Sequence, residues 1–290
     1  VTAGWAQSEL TREDFANTIS AAELSVLLYT YASDAFEGRE TGTAGEEKAV
    51  TFLKDQYRAM GIDSGSGNDS YFQHMVLDIK GKSVSSKNVL AYIEGTEKPD
   101  ELLVISAHLD HIGSENGKIY NGADDDGSGT VSILEIAEAF QLAKKMGQGP
   151  KRSILFLHVS GEEMGLLGSK YYTDHPIYPL ENTVTNLNID MIGRTDPKRE
   201  GDRNYIYLIG SDKLSQDLHD LSEAVNQKYS QLTLDYTFNA DDDPNRFYYR
   251  SDHYNFAKYN IPVIFYFNGT HEDYHQPTDT PDKIEYDLLE

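Results

Sequence analysis

The stretch from Leu102 to Gly129 constrains the fold of this chain more than any other part of the sequence. It opens with an apolar run of strand-forming residues, which predicts a buried strand over 102–107. His108 and Asp110 follow directly, and because side chains alternate along an extended chain, both point the same way. Three carboxylates, Asp124–Asp126, then precede a Gly-Ser-Gly helix start. Open α/β sheets place their chemistry at the carboxyl ends of strands, so the stretch predicts a metal site in an α/β fold.

Patterns typical of strands and helices alternate along the rest of the chain. Apolar or alternating runs predict further strands at Phe72–Ile79, Asn88–Glu94, Ser153–Ser160, Thr183–Asp190, Tyr205–Gly210 and Pro262–Phe267. Helical spacing of apolar residues predicts helices within 9–35 and at 43–61, Gly129–Met146, Leu166–Asp174, Lys213–Tyr229 and Ser251–Tyr259. With no repeat and no linker-like segment, we expect one domain over residues 1–290, a three-layer α/β/α fold around a mixed, mainly parallel sheet.

Shorter signals refine this prediction. Thr43–Glu46 has the spacing of a capping box, Gly81–Ser86 has the composition of a turn, and Asp63–Asp69 has the composition of a flexible loop.

The composition excludes several classes of protein. The net charge is -23, with 48 acidic against 25 basic residues, which argues against nucleic acid or an anionic membrane as a partner. No apolar run is long enough to span a bilayer. Cysteine is absent, which excludes thiol catalysis, thiolate metal ligands and disulfides. The chain begins at Val1 without a signal-peptide pattern, so we expect a processed chain that is secreted or periplasmic.

Three later segments also place acidic or imidazole side chains at the ends of predicted strands. These are Glu162-Glu163, Asp190 and the His271–His275 segment. A parallel sheet brings such strand ends together, and nitrogen and oxygen donors suit zinc. Two metal ions need a bridging carboxylate and terminal ligands, which the strand ends supply as follows: His108, Asp190 and one aspartate of 124–126 for one ion, and the same aspartate with Glu163 and His275 for the other. Glu162, beside a ligand, is then free to act as general base on metal-bound water.

The sequence resembles the two-zinc aminopeptidases of the aminopeptidase Y and bacterial leucyl aminopeptidase type, from about Glu37 to the C-terminus. The matching motifs, in chain order, are His108-x-Asp110, Gly122–Gly129 (GADDDGSG), Gly161–Gly165 (GEEMG), Asn188–Met191 (NIDM) and Tyr274-His275. The resemblance implies zinc ligands with these roles: Asp125 bridging, His108 and Asp190 on one ion, Glu163 and His275 on the other. It further implies Glu162 as general base, Tyr274 as the group that steadies the oxyanion, and Asp110 as the partner that orients His108.

The same resemblance implies two zinc ions as cofactors and peptides with a free N-terminus as substrates. We expect a monomer of the zinc-dependent exopeptidase type. Larger family members carry an inserted β-rich domain, for which the connection from Gly61 to Glu101 is too short. We also expect the family's final helix to be cut off after Leu289.

Other functions remain as alternatives. Glutaminyl cyclases share the fold and several ligands, and related zinc carboxypeptidases need a positioned arginine, for which Arg194 is a candidate. A catalytically dead relative acting as a binding module is disfavoured, because no ligand is missing. His271–His275 fits H-E-x-x-H, but Asn268-Gly269 before it and Pro277 after it leave no room for the required helix. No G-x-S-x-G elbow supports a serine hydrolase.

Several remaining residues receive structural interpretations. We interpret His111, His158 and His253 as structural, with His253 able to support His275, and Asp241–Asp243 as a solvated loop. The adjacent Phe247, Tyr248 and Tyr249 line a specificity pocket or simply pack.

Overall fold

The computed structural model describes residues 10–290, so residues 1–9 of the predicted domain, and the first residue of the predicted 9–35 helical region, lie outside it. Its strands are β1 (Asp63–Ser64), β2 (Phe72–Ile79), β3 (Lys82–Ile93), β4 (Lys98–His108), β5 (Gly113–Glu115), β6 (Lys118–Tyr120), β7 (Arg152–Val159), β8 (Thr183–Ile189), β9 (Tyr205–Ile209), β10 (Thr233–Asp235) and β11 (Val263–Phe267). Its helices are α1 (Arg12–Ala16), α2 (Ala21–Tyr31), α3 (Ala44–Met60), α4 (Gly129–Lys145), α5 (Leu167–Asp174), α6 (Gln216–Lys228), α7 (His253–Ala257) and α8 (Tyr286–Leu289).

Within residues 10–290, nine strands form one mixed sheet in the order β1-β3-β7-β4-β8-β11-β9-β10, with β2 paired to β3. The centre, β7-β4-β8-β11, is parallel, whereas β1, β2 and β3 on one side and β9 on the other join antiparallel. Strand β7, which has neighbours on both sides and helices on both faces, is buried from Ser153 to Val159, as its continuous apolar run predicts. The parallel centre therefore directs the carboxyl ends of four strands to one edge.

Helices cover both faces of this sheet, which confirms the predicted three-layer fold. On one face, α2, α3 and α4 bury Leu28, Leu53 and Leu134 in a common core cluster. On the other face, α5 and α7 bury Tyr172 and Phe256 in a second cluster. Alternate residues of β7 enter the two clusters, so one strand contributes to both cores.

The turn predicted at Gly81–Ser86 is wrong. The chain reverses at Lys80-Gly81, where both residues have positive φ (52° and 79°), and β3 pairs with β2 from Lys82 onward. Two residues with positive φ match the right-handed twist of a hairpin, and a glycine at the second position favours that turn. The serine-rich run after it is therefore strand.

The capping box predicted at Thr43–Glu46 forms only in part. The Thr43 hydroxyl accepts the backbone N–H of Glu46 (3.5 Å), but the Glu46 carboxylate accepts the N–H of Gly42 (2.6 Å) and the hydroxyl of Ser160 (2.6 Å). Glu46 is buried, so the residue that was expected to cap a helix instead ties α3 to the end of β7.

The secondary structure of two further segments differs from the prediction. Asp63-Ser64, expected in a flexible loop, pairs with β3, and α6 begins at Gln216 because the Ser215 hydroxyl caps it by accepting the N–H of Leu218. At the C-terminus a short final helix, α8, forms and buries Leu289. No helix among residues 10–290 has the length and apolar character needed to cross a membrane.

Candidate metal centre

Four neighbouring strands end at one edge of the sheet and carry the predicted residues there. His108 is the last residue of β4, Glu162 and Glu163 follow β7, Asp190 follows β8, and His275 lies in the loop after β11. Asp125 reaches the same edge from the loop before α4. The topology thus gathers side chains that are separated by up to 167 positions in the sequence, from 108 to 275.

Asp125 lies at the centre of this group, and its two oxygens face two different imidazoles. Oδ1 is 3.1 Å from His108 Nε2, and Oδ2 is 3.0 Å from His275 Nε2. A carboxylate that presents one oxygen to each of two nitrogen donors has the arrangement of a ligand that bridges two cations.

Asp190 and Glu163 complete the two halves. Asp190 Oδ1 is 3.7 Å from His108 Nε2, and Glu163 Oε2 is 3.1 Å from His275 Nε2. The Ser251 hydroxyl donates to Asp190 Oδ2 (2.6 Å), which leaves Oδ1 directed at the histidine. The structure therefore brings all five predicted ligands together, and their binding of metal stays a prediction.

The donor atoms of this group suit a metal ion. Among residues 10–290, His108 Nε2, Asp125 Oδ2 and Glu163 Oε1 are buried polar atoms without a hydrogen-bond partner. Such atoms are costly to bury unless something satisfies them. Imidazole nitrogens and carboxylate oxygens are the donors that zinc prefers when no thiolate is present.

The other two aspartates of the acidic run are engaged in hydrogen bonds. Asp126 approaches His108 and Asp190, but its oxygens accept three backbone N–H groups: His108 (3.2 Å), Gly129 (3.0 Å) and Met191 (3.1 Å). Asp124 accepts the N–H of Gly193 (2.6 Å) and faces His271 Nε2 (3.0 Å). Among the three, Asp125 alone keeps a buried oxygen without a partner, which supports its selection as the bridging residue.

Asp279 is a residue of the site that sequence reasoning missed. Its buried carboxylate accepts the backbone N–H of Asp124 (3.0 Å) and of Asp125 (3.2 Å), and so fixes the backbone that carries the bridging candidate. It lies in a Thr-Asp-Thr-Pro turn, where the sequence shows no metal-binding pattern.

The Asp110 carboxylate does not orient His108 as expected. His108 Nδ1 is 3.1 Å from the backbone oxygen of Asp110, whereas the Asp110 carboxylate is 3.8 Å away. That carboxylate instead accepts the N–H of Glu162 (3.2 Å) and the hydroxyl of Thr41 (2.9 Å). Asp110 thus orients His108 through its main chain and positions Glu162 through its side chain.

Glu162 and Tyr274 both lie beside Asp125 in one pocket. Burial raises the pKa of Glu162 well above its ordinary value. The Tyr274 ring stacks on His275 with centroids 3.9 Å apart, and its hydroxyl oxygen accepts an N–H of Arg250 (3.4 Å). Burial raises the pKa of Tyr274, so its hydroxyl stays protonated and able to donate a hydrogen bond.

The rest of the pocket wall is largely apolar, with Met191, Phe247, Phe265 and Phe267 among its residues. Of the three residues considered for specificity, Phe247 lines it, whereas Tyr248 and Tyr249 line a separate depression with Asp241–Asp243. That loop is not fully solvated as expected, because Asp243 is buried and accepts the N–H of Phe247 (3.0 Å).

His111, which was interpreted as structural, lies beside the candidate ligands. Its Nδ1 lies 2.8 Å from Glu163 Oε1 and 3.9 Å from Asp125 Oδ2. The spacing of three residues after His108 was a usable signal, but the alternation of a strand does not continue into a loop, so the direction of the side chain was not predictable. His158 is structural as expected: it is buried, its Nε2 is 2.7 Å from the Tyr57 hydroxyl, and burial lowers its pKa to about 3.

The remaining histidines and Arg194 are engaged elsewhere. His253 is buried and stacks on Phe265, with centroids 4.8 Å apart. The His271–His275 segment forms a turn, as the rejection of an H-E-x-x-H helix required. Arg194, the candidate for binding a substrate carboxylate in the carboxypeptidase alternative, pairs with Asp273 (3.2 Å).

A model of the family described as peptidase family M28 matches residues 88–290. Leupeptin-inactivating enzyme 1 of Streptomyces exfoliatus is 27% identical over 243 residues, which are 83% of this chain and 47% of that protein. A probable leucine aminopeptidase of Arthroderma otae is 29% identical over 254 residues, 82% of this chain and 66% of that protein. The aminopeptidase NAALADL1 of Rattus norvegicus is 38% identical over 109 residues, which are 37% of this chain and 14% of that protein. The chain spans less than two thirds of the length of each.

Solved structures resemble the fold over nearly the whole chain. BSAP, a zinc aminopeptidase from Bacillus subtilis, aligns with a TM-score of 0.68 at 17% identity, covering 93% of this chain and 92% of that one. The LapA aminopeptidase of Legionella pneumophila aligns with a TM-score of 0.71 at 20% identity, and the alignment covers 98% of this chain and 72% of that one. At such identities the likeness shows the fold, and it confirms the predicted zinc-exopeptidase architecture.

Proposed function

Because this chain belongs to peptidase family M28, to which residues 88–290 match, we propose that it is a zinc-dependent aminopeptidase that hydrolyses the N-terminal peptide bond of peptides. Its relatives and structural neighbours include proteins described as aminopeptidases, which supports this choice over the glutaminyl cyclase. A carboxypeptidase is less supported, since Arg194 is held by Asp273. A secreted or periplasmic location remains a prediction.

The observation that carries the proposal is the position of Asp125 between His108 and His275. In the proposed centre His108 and Asp190 would hold one zinc ion, Glu163 and His275 would hold a second, and Asp125 would serve both. When bound, such ions supply Lewis acidity at the scissile carbonyl and make water a better nucleophile at neutral pH.

The protein's own groups manage the proton and the developing charge. Glu162, positioned by the Asp110 carboxylate, accepts a proton from the attacking water and delivers it to the leaving amine. Tyr274, protonated in its buried position, donates a hydrogen bond to the oxyanion that forms at the carbonyl.

The surroundings of the site account for cleavage at the N-terminus. A free α-amine is cationic, and the negative charge that Asp125, Glu162 and Asp190 give to the pocket favours it over a neutral group. The apolar part of the wall around Phe247 then receives the first side chain of the peptide. An acylated N-terminus would lose the charge that these carboxylates bind.

The substitution Glu162→Gln tests the mechanism. We expect the variant to keep its fold and its zinc content but to lose activity on an aminoacyl chromophore by about 100-fold or more, because the amide cannot take up a proton. Glu115→Gln on the exposed β5 is the matched control. Unchanged turnover in the Glu162 variant would remove this residue from the mechanism.

A substrate panel tests the reaction class on the same sample. We expect cleavage of peptides with a free N-terminus and none of their N-acetylated forms. Cleavage of the acetylated peptides would indicate a different peptidase. Cyclisation of N-terminal glutamine without hydrolysis would support the cyclase instead.

A further inference from the structure

We propose that His111 is an additional ligand of the zinc ion assigned to Glu163 and His275. That ion would then be bound by two imidazoles and two carboxylates. This inference rests on the proposed two-zinc centre and adds a residue to one half of it.

The first observation is convergence. His111 Nδ1 lies 2.8 Å from Glu163 Oε1, and one donor atom from each of His111, Asp125 and Glu163 lies within 4.8 Å of the others. The His111 ring is also edge-on to that of His275, with centroids 5.8 Å apart. Nitrogen and oxygen donors therefore surround one point on this side of Asp125.

The second observation is that the geometry of this short contact is poor for a hydrogen bond. Among residues 10–290, both ring nitrogens of His111 and Glu163 Oε1 are buried without a hydrogen-bond partner, despite the 2.8 Å separation. A fully buried imidazole with neither nitrogen satisfied is costly. A cation shared with Glu163 would satisfy His111 Nδ1 and Glu163 Oε1 at once.

The third observation is that packing, and not hydrogen bonding, holds the ring in place. Gly122 lies so close that a Cβ there would be 2.4 Å from His111 Cγ and 2.3 Å from the backbone oxygen of Asp125. Arg39 in turn donates to the Gly122 carbonyl (2.8 Å), and the backbone N–H of His111 donates to the Arg39 carbonyl (3.4 Å). The ring is thus oriented without using its nitrogens, which leaves them for a ligand.

The consequence is that the two zinc sites differ in donor number. The His108 side offers His108, Asp190 and the shared Asp125, whereas the other side offers four groups, with His111 as the fourth. Catalytic zinc sites keep a position open for water or substrate, and closed sites bind more tightly. We therefore expect the Glu163 site to fill first and to hold its ion more strongly.

Zinc titration of His111→Asn tests the assignment without relying on activity. Using a chromophoric chelator as competitor, we expect the variant to bind one ion as tightly as wild type does and the other about 100-fold more weakly or not at all. The exposed His74→Asn is the matched control. Two ions bound with unchanged affinities by the His111→Asn variant would overturn the inference.

X-ray absorption of the zinc-loaded wild-type protein tests it without any substitution, should the variant fail to fold. We expect the spectrum to require three imidazole ligands for the two zinc ions. A spectrum that fits with two imidazole ligands would refute the role of His111. A wild-type chain that binds no zinc, or cleaves no free N-terminus when loaded, would instead refute the proposed function itself. The two failures are therefore distinguishable.

Discussion

Arg39 is a buried cation that connects the loops of the metal centre. It is fully buried and forms no ion pair among the described residues. Its guanidinium donates to four carbonyl oxygens: Leu109 (3.1 Å), Tyr31 (3.3 Å), Asn121 (2.6 Å) and Gly122 (2.8 Å). It also lies over the Tyr31 ring, 4.6 Å from the centroid. One side chain therefore joins the end of β4, beside His108, to the start of the Gly122–Gly129 motif.

The substitution Arg39→Met should destabilise the protein by about 3 kcal/mol, because several buried carbonyls lose their donor together. Urea unfolding of the zinc-free proteins measures this. Arg58→Met, at an exposed position of α3, should change the free energy of unfolding by less than about 0.5 kcal/mol. A loss below about 1 kcal/mol for the Arg39 variant would mean that water replaces the guanidinium.

The sequence predicted the site residues that lie in motifs at strand ends. It did not predict the residues whose role depends on hydrogen bonds to distant parts of the chain. His108, Glu163 and Asp190 could be placed because a strand end fixes where a side chain emerges. Arg39 donates to Leu109, 70 positions away, and Asp279 accepts from Asp124, 155 positions away, and no local pattern indicates such contacts.

Helix α4 carries a buried carboxylate that makes its packing depend on pH. Glu135 is 4% exposed, and burial, with the charges of Glu23 and Glu138, raises its pKa to about 7. Since an unfolded glutamate has a pKa near 4.5, the folded state holds the extra proton between these two values. Stability from this group is therefore fully present below about pH 4.5 and is lost as pH rises to about 7.

The substitution Glu135→Gln should remove the loss of folding stability that accompanies rising pH. We expect the variant to be more stable than wild type by about 1 kcal/mol at about pH 8, with the advantage disappearing toward about pH 4.5. Urea midpoints at both pH values measure it, with Glu181→Gln at an exposed position as the control. An advantage that is the same at both pH values would exclude titration as the cause.

Elements with a sustained pattern were predictable, whereas short ones were not. The long apolar run of β7 and the amphipathic helix α3 were placed within two residues of their bounds. The three-residue strands β5, β6 and β10 are too short to show any period, and β1 exists only because β3 pairs with it. At this scale the sequence determines periodic surfaces, and tertiary pairing determines the rest.

At the scale of the whole molecule, one acidic site lies at the carboxyl ends of the central strands. The loops after β4, β7, β8 and β11 meet where the ligand candidates converge, in a chain whose net charge is -23. The alternation of strand and helix was sufficient to predict the parallel centre of the sheet. The order of its strands was not predictable, because it depends on crossovers that leave no local mark.

Removing the metal should therefore destabilise the entire fold, since the ligands come from loops that only the native state brings together. At a free zinc concentration about 100 times the dissociation constant, binding contributes about 2.7 kcal/mol, which corresponds to a fall of about 4–5 °C in Tm upon chelation for a chain of this length. Calorimetry with and without a chelator, alongside zinc analysis, measures the change. Asp125→Ala, which lacks the proposed bridge, should show a much smaller shift under the same treatment. An unchanged Tm in wild-type protein that has demonstrably lost its zinc would mean that the strand-end loops hold their arrangement without any ion.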